Sequence, residues 1–221
     1  EYSALAAINS ISLYDAAKLL RLRGESMQAA VPVGNGAMAA LLGADMDVVT
    51  KLVNEASKIG ICEIANDNAP GQIVISGEAT AVNEAIDMSS DFGVRKAMSL
   101  PVSAPFHCSM MKPAAEVMAA ALETTVINSP DIPLVANVSA LVGSGDPSEI
   151  RNSLVEQVTS LVRWRETVLW LSNQNVSSVV EIGAGKILSG LNKRIDKDLI
   201  SSSIAEWDEI NTFLIEVESG E

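Results

Sequence analysis

Two helix-length segments are interleaved with four strand-length ones over residues 36–102, and few topologies accommodate that order. "GAMAALLGA" is a short apolar run of strand length. "DMDVVTKLVNEASKIG" opens on acidic residues and ends on glycine, the polarity of a helix. "ICEIAND" and "QIVISG" read as adjacent strands joined by the turn "NAPG". "EATAVNEAIDMSSDFG" repeats the helical pattern with a second terminal glycine, and "VRKAMSLPV" closes the run as a strand. The order β-α-β-β-α-β is that of a ferredoxin-like split unit.

The flanks read differently. Residues 1–30 are apolar at mixed three- and four-residue steps, which predicts helix with a break near Asn9-Ser10. The second helix is expected to end near Arg23-Gly24 or a turn later. "MKPAAEVMAAALETT" is a helix with Pro113 in its first turn. "PLVANVS" reads as a strand and "LVGSGDPSE" as a loop, with Pro147 just before the helix "SEIRNSLVEQVTSL". "WRETVLWLSNQN" is a helix, "SSVVEIG" a buried strand, "AGKILSGLNKRI" a helix, and "LISSSI" and "EINTFLIEVE" a closing strand and helix. Alternating strands and helices predict a parallel α/β layer. The fold class is therefore α/β: a larger body of residues 1–30 and 103–221, with the ferredoxin-like unit of residues 31–102 inserted into it.

Apolar residues make up 48% of the 221, enough for a sizeable core. The formal charge of −13 argues against a nucleic-acid partner, which calls for a basic face. No apolar run approaches the ~18 residues of a membrane span. Two cysteines, Cys62 and Cys108, are too few for a disulfide framework and read as reduced thiols in a cytoplasmic protein. No Cys/His cluster has the spacing of a metal site.

His107 is the only histidine, and it sits in "SLPVSAPFHCSMMKP", a Pro-flanked turn between a strand and a helix. Such turns are where sites are built. A histidine base needs a nucleophile within ~3 Å and a third group to orient its ring. Neither Cys108 nor Ser109 is well placed to face it. Arg23, between Leu22 and Gly24, is either a charge at a helix C-terminus or a buried anion clamp. "GAGK", Gly183 to Lys186, follows a strand and opens a helix, but Ile187 stands where a phosphate loop needs Ser or Thr. A tight strand-to-helix turn is the better reading. Asn66, Asn68 and Gln72 surround the hairpin and are ordinary turn residues.

The stretches "EYSAL", "LRLRGESMQ", "GAMAALLG", "NAPGQIVISG", "LPVSAPFHCSMMKPAA", "LVEQ" and "EIGAGKILSGL", in this order, resemble the malonyl-CoA:acyl carrier protein transacylases of bacterial fatty-acid synthesis. The likeness extends over nearly the whole chain. It implies an α/β-hydrolase-like acyltransferase body with a parallel sheet, incomplete here. In that family a G-H-S-x-G elbow directly precedes "EYSAL", so the nucleophilic serine is expected three residues ahead of Glu1, outside these 221 residues. By the resemblance, His107 is the base that takes the serine proton. Gln157 holds its imidazole through a main-chain carbonyl, and Arg23 clamps the malonyl carboxylate. Phe106, Asn68 and Gln72 are implied near the acyl group, with Phe106 crowding an α-methyl branch. Arg95 and Lys96 form a basic site for CoA or carrier-protein phosphopantetheine. The implied partners are malonyl-CoA and acyl carrier protein, acting on a monomer without cofactor, metal, nucleic acid or membrane. A related acyltransferase of other specificity, such as methylmalonyl, and a non-catalytic ferredoxin-like binding module are the alternatives.

Overall fold

The structure, a computed structural model, describes residues 1–219. It divides into two compact units, residues 1–167 and residues from 168 onward.

The first unit opens with α1 (Tyr2–Ala7) and α2 (Leu13–Ala30). The break falls at residues 8–12, where Asn9 takes a positive φ of 57° and Ser12 caps α2 by accepting from the Asp15 amide at 3.0 Å. α2 runs past Gly24 to Ala30, further than expected. A glycine weakens a helix by only about 1 kcal/mol, and Met27, 3% exposed, anchors the extra turns in the core.

The central run forms β1 (Gly36–Leu42), α3 (Met46–Ala56), β2 (Cys62–Ala69), β3 (Gln72–Glu78), α4 (Ala79–Met88) and β4 (Lys96–Ser99). The strands pair in the order β2-β3-β1-β4, every neighbour antiparallel. Ala39 and Leu41 of β1 and Ile73 and Ile75 of β3 face Val49, Leu52, Val82 and Ala85 of the two helices. Met38, Ala40, Ala65 and Val74 form a second apolar cluster, packed by Leu100 and Phe106. Both faces of β1 are buried, which is why it reads as an unbroken apolar run. The two-residue turn Pro70-Gly71 needs glycine, because Gly71 has φ +67°.

β2 shifts register against β3 between Ile64 and Asn66 and again between Asp67 and Ala69. Beside these irregularities a short segment adds to β2. The Asp67 amide donates to the Val162 carbonyl and the Val162 amide to that of Ala65, each at 2.8 Å. This addition covers part of an otherwise open strand edge.

α5 (Lys112–Glu123), with Pro113 in its first turn, packs with α1, α2 and α6 (Pro147–Glu156) around Leu5, Leu19, Met118 and Leu154. Between α5 and α6 the expected strand "PLVANVS" shrinks to β5 (Val135–Ala136). It pairs antiparallel with β6 (Leu141–Val142), which lies in the expected loop. Asn137 ends β5 because its amide donates to the Glu1 carboxylate instead of to a ladder partner. α6 starts on Pro147 itself, capped by Asp146, and stops at Glu156, earlier than expected.

α7 (Trp164–Asn173) spans the unit boundary in sequence. The second unit holds β7 (Ser178–Ile182), α8 (Ile187–Ile195), β8 (Ile200–Ile204) and α9 (Trp207–Ser219), with β7 and β8 parallel. Among the described residues, the expected parallel layer consists of this pair. β7 is half-buried to exposed, with Ile182 79% exposed, and not the buried strand its composition suggests. The Glu181 carboxylate accepts from the Leu188 amide at 3.1 Å and the Ser189 amide at 2.8 Å. That carboxylate occupies the α8 N-terminus, where a phosphate loop would place its phosphate.

Candidate active site

His107 stands on the turn between β4 and α5 in a left-handed conformation, φ +58°. A non-glycine residue pays strain there, and such strain concentrates at functional sites. The turn is held tightly. Cys108 Sγ donates to the Pro105 carbonyl at 3.1 Å, and the Ser109 amide donates to Glu63 at 2.9 Å. Pro105 lies so close to Gly36 that any Cβ there would meet its ring at 2.4 Å. β1 and the histidine turn can approach only because residue 36 has no side chain.

The imidazole Nδ1 lies 3.1 Å from the main-chain carbonyl of Gln157. Gln157 is the C-cap of α6, so this carbonyl has no partner within its own helix. A carbonyl only accepts, so Nδ1 carries the proton and Nε2 keeps its lone pair. Burial is the main influence on His107 and lowers its pKa. The Gln157 and Ser160 carbonyls pull the other way, and nearby Arg23 pushes it down further. The ring is therefore neutral at pH 7 and able to accept a proton.

Gln157 is itself anchored. It is 8% exposed, and its side-chain amide donates to Glu1 Oε2. Glu1 Oε1 accepts from the Asn137 amide at 3.2 Å. The Asn137 side chain donates to the Leu161 carbonyl and accepts from the Arg163 amide, both at 3.2 Å. It thereby clamps the segment that carries the Ser160 carbonyl. Asp67, 2% exposed at its side chain, holds the same segment through Arg165, whose Nε reaches both carboxylate oxygens at 2.9–3.0 Å. The carboxylate raises the Arg165 pKa, chiefly by hydrogen bonding.

His107, Gln157, Glu1, Arg23, Tyr2 and Trp164 line one cavity of about 430 Å³. Arg23 enters it from α2 with no ion pair or hydrogen bond at Nε among the described residues. Burial lowers its pKa, and Tyr2 and Glu1 oppose that shift. An orphaned guanidinium nitrogen facing a neutral, oriented imidazole suits an anionic molecule that undergoes proton-coupled chemistry.

Three of the expected site residues thus meet: His107, Gln157 and Arg23. Of the open readings of Arg23, its place in mid-helix sets aside the helix-end charge. The other five do not line this cavity. Phe106 packs between the helical core and the second cluster on the sheet. Asn68 and Gln72 flank the Pro70-Gly71 turn, Arg95 lies against Gly43, and Lys96 is exposed opposite Leu42. Glu1, Tyr2, Asn137 and the Asp67–Arg165 pair were not singled out from sequence. Their partners lie up to 156 positions away, so no local pattern marks them.

Residues 1–195 match the family model "Acyl transferase domain". Over 218 residues the chain is 41% identical to the malonyl CoA-acyl carrier protein transacylase of Haemophilus influenzae, covering 97% of this chain and 70% of that one. The Bacillus subtilis protein of the same name is also 41% identical, with 95% and 66% covered. The crystal structure of an acyl-carrier-protein S-malonyltransferase from Bartonella henselae superposes with a TM-score of 0.93 at 50% identity, covering 97% of this chain and 68% of that one. This chain belongs to the acyl transferase domain family, among its malonyl CoA-acyl carrier protein transacylases. It spans about two thirds of the length of the curated transacylases it matches. In this transacylase-family chain, the residues that converge are those the resemblance assigns as base, carbonyl holder and clamp.

Proposed function

We propose that the cavity is the acyl site of a malonyl-CoA:acyl carrier protein transacylase. The observation that carries this reading is the meeting in one cavity of a neutral, tautomer-fixed His107 and an Arg23 whose Nε has no hydrogen-bond partner among the described residues. The relatives named above carry the same activity in their names, and one solved relative is a malonyl-transacylase in complex with a type II PKS acyl-carrier protein.

In this reading the nucleophile is the serine of the family's G-H-S-x-G motif. His107 Nε2 takes the serine proton as the oxygen attacks the thioester carbonyl of malonyl-CoA. The tetrahedral intermediate collapses, the C–S bond breaks, and the imidazolium returns the proton to the CoA thiolate. The phosphopantetheine thiol of the carrier protein then gives its proton to Nε2 and attacks the malonyl ester, and serine leaves with that proton. A carbonyl behind Nδ1 orients the ring without adding a negative charge, so the base is not made too basic to release its proton. Arg23 binds the distal carboxylate, the group that separates malonyl from acetyl.

The β2-β3-β1-β4 order supports reading residues 31–102 as a ferredoxin-like subdomain within an α/β-hydrolase-like body of residues 1–30 and 103–221. Arg95 and Lys96, exposed on that subdomain, would meet the carrier protein or CoA phosphates. We place the reaction in the cytoplasm, on a monomer. Among the described residues no helix is long and apolar enough to cross a membrane.

The test is kcat/KM for malonyl-CoA and acetyl-CoA with the full-length enzyme and its Arg23→Ala and Arg23→Lys variants. Arg23→Ala should cost malonyl transfer about 10²-fold and acetyl transfer far less, since charged hydrogen bonds are worth about 1.5–3 kcal/mol each. Lysine should recover only part, because an ammonium cannot make the paired contact. Equal losses for both substrates would make Arg23 a structural residue.

A further inference from the structure

The turn that carries His107 is tied to the sheet on both sides of the histidine, and the two ties differ in kind. Ahead of His107 the tie is steric: Pro105 seats against Gly36 of β1. Behind it the tie is a carboxylate. Glu63 of β2 accepts from the Ser109 amide through Oε2 at 2.9 Å and from the Ser109 hydroxyl through Oε1. Ser109 opens the short helical turn Ser109–Met111 that leads into α5, and neither that turn nor α5 is capped by the side chain of its own N-cap residue. Glu63, 46 positions away, supplies the missing acceptor. Two charge-assisted contacts on one residue fix its orientation as well as its place.

That tie bears on the base. His107 holds a left-handed φ of +58°, a conformation that persists only where its surroundings impose it. Its ring must also meet a carbonyl, that of Gln157, which belongs to another element. The strand that holds Ser109 holds the segment after Gln157 as well: Ala65 and Asp67 of β2 pair with Val162, and the Asp67 carboxylate binds Arg165. β2 is thus a common frame for the histidine turn and for the segment that follows its carbonyl partner.

We propose that Glu63 is a positioning residue for the base: by holding Ser109 it keeps the His107 imidazole in register with the Gln157 carbonyl. The inference rests on the reading of His107 as the base of malonyl transfer and deepens it. Glu63 acts through the turn, so its loss should slow the reaction without weakening the hold on substrate.

The experiment uses the full-length enzyme and follows kcat and KM for malonyl-CoA, thermal melting, and ¹⁵N NMR of the His107 imidazole, assigned by its loss in His107→Ala. Glu63→Ala should lower kcat by about tenfold and leave KM within about twofold, because a small displacement of a reacting group is expensive. The Nδ1-protonated signature of the ring should give way to mixed tautomers. Glu63→Gln, whose side-chain carbonyl still accepts from Ser109, should recover most of both. Ser109→Ala, which drops only the hydroxyl contact, should lose a smaller part of kcat, and nothing further on a Glu63→Ala background. Asp45→Ala is the control for stability, since Asp45 caps α3 by accepting from the Val48 amide at 3.0 Å. It should lower the melting temperature and leave kcat and the imidazole spectrum unchanged. If Glu63→Ala behaves as Asp45→Ala does, Glu63 only stabilises the fold and the inference is overturned. Equal losses in Glu63→Ala and Glu63→Gln, or additive losses in the double variant, overturn it too. If His107→Ala costs less than about tenfold in kcat, the base reading fails and this inference with it. A full loss in His107→Ala beside an unchanged Glu63→Ala overturns this inference alone.

Discussion

The two walls of the cavity are built on opposite principles. On the His107 wall a continuous chain of hydrogen bonds runs back from the ring: imidazole to Gln157 carbonyl, Gln157 amide to Glu1, Glu1 to Asn137, and Asn137 to Leu161 and Arg163. On the Arg23 wall Tyr2 is buried and Arg23 half-buried, and the Tyr2 hydroxyl and Arg23 Nε make no hydrogen bond among the described residues. A catalytic base must be held in one geometry before substrate arrives, and satisfied hydrogen bonds do that. A specificity group must be free to bind, and leaving it unsatisfied makes the wrong ligand costly. In the proposed function, one wall positions and the other selects.

The largest expected effect is at the centre of the positioning wall. His107→Ala in the full-length enzyme should lower kcat by about 10²–10⁴, the share of a general base. A loss under tenfold at neutral pH would mean that another group deprotonates the serine, and the two-wall distinction would collapse.

Behind the base, Gln157→Ala keeps the carbonyl that touches the ring but removes the side chain that Glu1 anchors. It should lower kcat by about tenfold with little change in KM, since small displacements of a reacting group are expensive. Glu1→Ala should do the same, and the double variant should be scarcely slower than either single one. Additive losses would show that Glu1 and Gln157 act separately.

The Asp67–Arg165 pair supports the same wall from outside the cavity. Asp67→Ala should cost about 2–3 kcal/mol by urea unfolding, below the range for a fully buried pair because Arg165 is 31% exposed at its side chain. Unchanged stability would mean that the Val162 pairing with β2 suffices without it.

The smallest effect joins the walls. Arg23 depresses the His107 pKa, so Arg23→Ala should move the acid limb of the kcat/KM–pH profile toward higher pH. The same depression has a sign for stability. In the unfolded chain the histidine titrates near its ordinary value of about 6.5, whereas burial keeps it neutral lower in the native state. As pH falls through that window, the unfolded state gains a proton that the native state does not, and stability drops. His107→Ala should flatten that slope, and an unchanged slope would assign the acid sensitivity to other groups.

The β-α-β-β-α-β run was legible because each element carried local punctuation: acidic helix starts, terminal glycines and the Pro70-Gly71 turn. α2 outruns the end its sequence predicts because tertiary burial of Met27 outweighs a glycine's weak preference. β5 is shorter than its sequence predicts because Asn137 diverts its backbone to Glu1, a partner 136 positions away.

At the site, the sequence by itself displayed His107 and its turn, and the family resemblance singled out His107, Arg23 and Gln157 for the roles proposed here. These depend on residue type and near neighbours, which a chain displays along its length. Only the tertiary structure decided that Phe106, Asn68, Gln72, Arg95 and Lys96 stand away from the cavity, and that Glu1, Asn137 and Tyr2 belong to it. Those facts are placements and hydrogen bonds set across as many as 156 residues of separation. They exist only once packing of the apolar faces has brought α1, α2, α6 and the histidine turn together.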